Sequence, residues 1–478
     1  MSNVIKNPRN GCALHGALQT IKEINGVVPV VHANAGCGVV NYLSRNRTSG
    51  GESRYSGFSI PGTAAQERHV IFGGASRLRE QIKNTIKVIN GDLYVILNSC
   101  ESAMVGDDVD AMTREIVEQG EPVVDTLVAG FNGGIHYGYE HVLADIFKTI
   151  DAVKVSEKIT NPSLVNILGI VPNHDPYWQG NLDEITRILE GLGLEVNSFF
   201  GADSNVDALV NAKNASLTIV FSKWGELPAK VLEEKHGIPV IYRESLPISS
   251  EDVKALVDSL ASYISLDNEK SQSFIEREKR YEDNVLYRVR DEIIEKGISK
   301  NAVIVGDEEQ VIRIGRLLKD KLGVEITASI LTDSLKKDEE HIINNDELLS
   351  EISKNTYKTV DQKEIDDIIR AGNAEVVFGS SLERNIANKL NIPLVEISYP
   401  IFDELILAET TIGVKGEIQI IERYLSSIRL FEKAKNNELL QLVKGNSNID
   451  SWRDRGDNKV RFSKGLHVRK QEFNVSNG

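Results

Sequence analysis

Apolar positions along the chain fall into two alternating periods. Short β-branched runs end in Gly, Asn or Asp, and each is followed by a longer stretch in which apolar residues recur every three or four positions. A strand that stops at a small residue and gives way to an amphipathic helix is the βα unit of a parallel sheet. Three groups of such units are visible. The first contains GVVPVVHANAGC (Gly26 to Cys37) and DLYVILNSC (Asp92 to Cys100). The second runs from LVNILGIVPNHDPYWQGNLDEITRILEGLGLEVNSFFG through SLTIVFSKWG (Ser216 to Gly225) to HGIPVIYRESLPI. The third has NAVIVGDEEQVIRIGRLLKDKLGVEI (Asn301 to Ile326), AEVVFGSSLERNIANKLNIPLVEISYP (Ala374 to Pro400) and a helical pattern from Glu417 to Leu430.

These groups predict an α/β protein with parallel sheets, divided into residues 1–160, 161–295 and 296–435, with a polar tail over 436–478. The length agrees, at roughly 150 residues per domain. Between the second and third groups, EKSQSFIEREKRYEDNVLYRVRDEIIEKG is highly charged, with Phe274, Tyr281, Val285 and Val289 at helical spacing, and predicts a bridging helix. The tail offers little core of its own. Its Arg453, Arg455, Arg461, Lys464, Arg469 and Lys470 predict a solvated or partner-facing stretch.

Composition sharpens this picture by exclusion. Hydrophobic residues are 41% and charged residues 26% of the 478, an ordinary globular balance. Lys+Arg at 55 against Asp+Glu at 70 leaves a formal charge of -15, which disfavours nucleic acid and anionic membrane as partners. The start, MSNVIKNPRNGCALHG, lacks a signal-peptide pattern, and no run of about 18 apolar residues suggests a membrane span, so a cytoplasmic location is expected. VIVGDEEQVIRIGR places Gly306 between a strand and a helix but lacks GxGxxG, and GxxxxGK(S/T) is absent; neither dinucleotide nor Walker-type ATP binding is expected.

The candidate chemistry lies in the cysteines. There are three, Cys12, Cys37 and Cys100, all in the first quarter of the chain and each beside a small-residue turn. Incidental buried thiols would scatter along the length. An odd count without CxxC spacing argues against a disulfide framework or a zinc knuckle. Two readings remain from the residues alone: a thiolate site completed by another chain, or three unrelated buried thiols.

The contexts of these cysteines carry more. Cys12 followed by ALHGA, Cys37 preceded by VVHANAG, and NSCESAMVGDDVDAM around Cys100 together resemble the component 1 proteins of the nitrogenase family. The third is the sharpest: Cys100, then Val105, Gly106, Asp107 and Asp108. Between the second and third cysteines, ERHVIFGGASRLREQI (Glu67 to Ile82) is similar to the family's Phe-Gly-Gly and following helix. The resemblance extends to about residue 430 and implies three Rossmann-like domains without dinucleotide function. It further implies that Cys12, Cys37 and Cys100 are cofactor-binding metal ligands, holding half of an iron–sulfur cluster of the 8Fe-7S P-cluster type shared with a homologous alpha-like subunit, in an alpha2beta2 assembly served by an ATP-hydrolysing iron protein. No cysteine follows Cys100, and Tyr399, Pro400, Ile401, Phe402 and Asp403 match a beta-type motif. The resemblance therefore implies a beta-like subunit with no catalytic residue of its own, relaying electrons to the partner's cofactor for reduction of dinitrogen or an organic sulfur compound such as a methylthio-alkane. A scaffold subunit for maturation of a nitrogenase-type cofactor is the alternative. There are departures. In LVAGFNGG, Gly130 stands where the molybdenum-type beta chain has serine before Phe131, and GVVNYLSRNRTSGG, with Arg45 and Arg47, diverges after Cys37.

Other polar residues have plainer readings. His15 and His32 are expected as satisfied imidazoles near the turns. Asp107 and Asp108 are expected to cap a helix beginning near Val109 rather than act as an acid/base pair. His174, Asp175, Tyr177 and Trp178 are expected in a turn set by Pro172 and Pro176. Tyr399 to Asp403 is expected as a domain-closing or interface loop.

Overall fold

The computed structural model describes residues 5–38, 60–202, 204–291, 298–333 and 341–449, with side chains as far as 435. Arg45, Arg47 and the basic tail residues named above lie outside the described residues. Twelve strands are present among them: β1 Val27–His32, β2 Leu93–Asn98, β3 Val123–Leu127, β4 Asn161–Leu168, β5 Glu195–Asn197, β6 Ala215–Val220, β7 Val240–Tyr242, β8 Asn301–Gly306, β9 Glu325–Leu331, β10 Thr356–Lys358, β11 Val376–Gly379 and β12 Leu394–Glu396. They form three sheets, ordered β1-β2-β3, β5-β4-β6-β7 and β10-β9-β8-β11-β12. Every pairing is parallel. The expected α/β class with Rossmann-like layers is the one observed.

The first sheet shows why these residues make this layer. All of β2 is buried, as a central parallel strand covered on both faces must be. Its side chains alternate: Leu93, Val95 and Leu97 join a core with helices Ala13–Ile21 and Ile135–Val153. Tyr94 and Ile96 meet Leu78, Ile82 and Ile116 on the other face. Pro29 is tolerated because β1 is an edge strand. Helices Ala13–Ile21 and Ile135–Val153 touch backbone to backbone: a Cβ on Gly16 would stand 1.9 Å from the Ile135 carbonyl oxygen, and one on Gly138 2.0 Å from that of Ala13. Only glycine permits this approach.

The first two sheets share one apolar core, in which Val95 and Leu97 belong with Val165 and Ile219. The N-terminal segment is anchored on the third sheet instead. Buried Arg9 donates to Glu383 at 2.5 Å, to Gln362 at 3.1 Å and to the Tyr399 carbonyl at 2.8 Å. The Tyr399–Pro400 peptide is cis. Asp403 pairs with Arg384 and the Pro400 carbonyl accepts from Ser381 N–H, so the Tyr399–Asp403 loop closes within the chain.

The bridging helix spans Asn268–Tyr287, but its buried face differs from expectation. Phe274 is buried, packed against Gly191, whereas Tyr281 is 49% exposed and Glu278 and Glu282 turn inward. Arg187 pairs with Glu278 at 2.8 Å and Lys321 with Glu282 at 2.9 Å; ion pairs from neighbouring helices, invisible to an apolar period, select this face. The last helix runs Gly413–Ile449, longer than its apolar pattern. Residues up to Ile428 form one compact unit and the chain from Arg429 a second, helical over 429–449.

Candidate functional site

The three cysteines meet at the carboxyl edge of the first sheet, where open α/β sheets place their ligands. Cys12 is the residue before helix Ala13–Ile21, held there by an isolated bridge to Gly134 and by Ala13 N–H on the Gly133 carbonyl at 3.0 Å. Cys37 lies in the helical turn that follows β1, and Cys100 opens helix Cys100–Val105 directly after β2. Ser102 locks that turn: its hydroxyl donates to the His32 carbonyl at 3.0 Å, at the end of β1. Parallel pairing of His32 with Asn98 brings the two strand ends level, and with them Cys37 and Cys100.

Gly130 sits between two of the thiols. Its N–H donates to Cys100 Sγ at 2.9 Å. A Cβ on Gly130 would lie 3.0 Å from Cys12 Cβ, 3.2 Å from Cys12 Sγ and 3.1 Å from Cys100 Sγ. The residue that departs from the serine of molybdenum-type beta chains is thus the one whose missing side chain makes room for both sulfurs. Cys37 completes the group electrostatically: burial, then the neighbouring Cys12 and Cys100, push its thiol up. Burial also pushes the Cys12 thiol up, but His15, with Nδ1 3.2 Å from Cys12 Sγ, brings it below the ordinary value overall. All three are free and only partly buried. A cradle of glycine and three partly exposed thiols has the donor chemistry that iron–sulfur clusters take.

The neighbouring histidines and aspartates divide their roles. Asp108 caps helix Val109–Glu118, accepting from Ala111 N–H at 3.0 Å, as expected. Asp107 does not share that task. Its Oδ1 accepts from Gly74 N–H at 2.6 Å, and its Oδ2 pairs with buried His32 Nε2 at 2.9 Å. His32 Nδ1 reaches Thr63 Oγ1 at 3.1 Å, so His32 is the satisfied imidazole anticipated. Burial holds its pKa below the ordinary value although Asp107 opposes this. Beside the cysteines, helix Glu67–Phe72 packs on Cys100–Val105 and leaves an apolar rim in solvent, with Phe72 85%, Met104 73% and Ile71 64% exposed.

Residues 12–429 match the family model described as nitrogenase component 1 type oxidoreductase. The chain belongs to that family. The chain is 28% identical over 389 residues to the nitrogenase iron-molybdenum cofactor biosynthesis protein NifE of Clostridium pasteurianum, covering 80% of this chain and 81% of that protein. It is 24% identical to a subunit of the light-independent protochlorophyllide reductase of Prosthecochloris aestuarii, covering 88% and 78%. It is also 24% identical to a nitrogenase molybdenum-iron protein alpha chain of Methanothermobacter marburgensis, covering 81% and 82%. A solved structure of nitrogenase Cp1 at pH 6.5 shares the fold, with a TM-score of 0.74 at 19% identity over 90% of this chain and 94% of that one. Among the described residues, no helix is long and apolar enough to cross a membrane.

A second polar cluster of this component 1 type chain lies at the ends of the other two sheets. Asp175 supports the turn expected of it, accepting from Tyr177 N–H at 3.0 Å and Asn181 Nδ2 at 2.7 Å, while Tyr177 and Trp178 are core. His174 lies in that turn, as expected, and its side chain faces Asp307, with Nε2 3.3 Å from Asp307 Oδ2; His136 Nε2 reaches the same oxygen at 2.8 Å. Residues 136, 174 and 307 share no sequence spacing. The local signal was the placement of His174 and Asp307 after apolar strands; His136, inside an amphipathic helix, carried none.

Proposed function

We propose that this chain is the beta-like subunit of a nitrogenase-type reductase and holds half of an interfacial iron–sulfur cluster of the P-cluster type through Cys12, Cys37 and Cys100. The observation that supports it is the gathering of three partly buried thiols, Cys12 and Cys100 about Gly130 and Cys37 within electrostatic reach of both, beside an exposed apolar rim. When bound, the cluster supplies low-potential electron transfer. The residues of this chain position and tune it. Gly130 N–H on Cys100 Sγ withdraws negative charge from a ligating thiolate, and His15 does the same for Cys12, both of which raise the potential at which an electron is accepted. The rim of Ile71, Phe72 and Met104 is the surface that a homologous alpha-like subunit covers as it supplies the remaining thiolates. An ATP-hydrolysing iron protein delivers the electrons. No cysteine follows Cys100, which supports placing the substrate-reducing cofactor in the partner.

The test is anaerobic co-purification with the native partner, iron analysis and EPR of reduced and oxidised complexes. Cys100→Ala is expected to abolish cluster binding and weaken assembly; unchanged iron in the purified complex would overturn the assignment. Turnover of dinitrogen or a methylthio-alkane with the iron protein and ATP then identifies the substrate. The likeness to the cofactor biosynthesis protein NifE supports a second reading, a maturation scaffold. That reading requires transfer of a metal cofactor from the complex to an acceptor, with no ATP-driven turnover.

A further inference from the structure

We propose that His136, His174 and Asp307 form a binding site for one divalent transition-metal ion, separate from the cysteines. Their ligating atoms all lie within 4.8 Å of one another. Tetrahedral coordination at metal–nitrogen and metal–oxygen bonds near 2.0–2.1 Å places ligand atoms about 3.3 Å apart. The observed 2.8 Å and 3.3 Å from the two imidazoles to Asp307 Oδ2 are close to that spacing. Two imidazoles and one carboxylate make a borderline donor set suited to zinc or ferrous iron, and three protein ligands leave a coordination position open.

A His–Asp–His hydrogen-bond relay is the competing account, and His174 argues against it. That side chain is 1% exposed, yet neither its Nδ1 nor its Nε2 makes a hydrogen bond. Its Nε2 lies 3.3 Å from Asp307 Oδ2, in ion-pair contact but outside hydrogen-bond geometry. A buried imidazole with no partner on Nδ1 and only an ion-pair contact on Nε2 is costly unless something else is bound.

The surroundings are built in the way metal sites are. Thr332 Oγ1 donates to Asp307 Oδ1 at 3.1 Å, fixing the carboxylate with Oδ2 toward the histidines. Trp224 stacks on His136 at 4.9 Å between ring centroids, and Tyr399 covers His174 at 4.5 Å. His136 and Asp307 line a cavity of about 30 Å³ that Lys223 also faces. That space holds about two water molecules, enough to complete the coordination of an ion held by three protein ligands.

The experiment uses the full chain with Cys12→Ser, Cys37→Ser and Cys100→Ser, so that thiolates cannot bind the probe, titrated with Co²⁺ and Zn²⁺ alone. One equivalent of Co²⁺ is expected, with nitrogen/oxygen-ligand d–d absorption and no thiolate charge-transfer band, together with a rise in Tm. Loss of a coordinating group exceeds the 10- to 100-fold cost of losing an outer-shell partner, so His174→Gln and His136→Gln are each expected to weaken binding by at least about 100-fold, and Thr332→Val by about 10-fold. Zinc X-ray absorption on the histidine-intact chain provides a readout that needs no histidine variant to fold, and imidazole scattering is expected. Absence of stoichiometric binding, affinity unchanged in both histidine variants, or a zinc shell without imidazole would each overturn the proposal. Because the cysteines are gone from this chain, the result is independent of whether the cluster assignment holds.

Discussion

Glu417 should make this protein lose stability as the pH rises through neutrality. It lies in helix Gly413–Ile449, is fully buried, and neither carboxylate oxygen has a hydrogen-bond partner. Burial, and then the nearby charge of Glu282, push its pKa up to about 8, against the partial opposition of Lys321. The folded-state value is thus above the unfolded one. Such a group contributes fully to stability below the unfolded pKa, and the contribution is lost as pH rises through the folded pKa. At 1.36 kcal/mol per pKa unit, a change from 4.5 to about 8 corresponds to a maximum loss of about 5 kcal/mol, of which about 3 kcal/mol has been lost by neutral pH. Glu417→Gln keeps the shape and removes the titration. Urea midpoints of both proteins at about pH 5.5 and about pH 8 should show the variant gaining roughly 3 kcal/mol on the parent between the two conditions. Parallel pH profiles would refute the reasoning and mean that Glu417 is ionised in the folded chain.

Two further outcomes follow from close contacts. Gly138→Ala puts a methyl 2.0 Å from the Ala13 carbonyl oxygen and 2.5 Å from Ala17 N, both backbone atoms, so the two helices must separate. A loss of at least about 3 kcal/mol in thermal unfolding is expected, with reduced iron binding because Cys12 moves with its helix; a variant as stable as the parent would show that the crossing is soft. Arg9→Leu leaves Glu383, whose carboxyl Arg9 holds below its ordinary range despite burial, without its main partner, and should cost about 3–5 kcal/mol near neutral pH, less as pH falls and Glu383 protonates. A change under about 1 kcal/mol in calorimetry would indicate that the pair contributes little.

The apolar periods were legible because a parallel strand buried on both faces must be apolar nearly throughout, as LYVIL and AVIVG are. The cysteine motifs were legible for a local reason: each thiol stands beside a turn at a strand or helix end, and those ends are encoded within a few residues. Local rules also placed Asp108, whose capping bond spans three positions. The same rules failed for Asp107, which looks identical in sequence but bonds to His32, 75 positions away. They failed for Tyr281, which had the right spacing but lost the buried face to Glu278 and Glu282, paired by residues of other helices.

By itself, then, the sequence determined the α/β class, the parallel strands and the thiols that belong at one edge. Each of these follows from short-range periodicity or from residue types that tolerate few environments. Tertiary structure decided which residues share a site. It put Gly130 between Cys12 and Cys100, sent Arg9 across to Glu383, and brought His136, His174 and Asp307 to one point. The physical reason is that such juxtapositions depend on how strand ends from different sheets align once their apolar faces are packed, and no local pattern records the relative placement of layers.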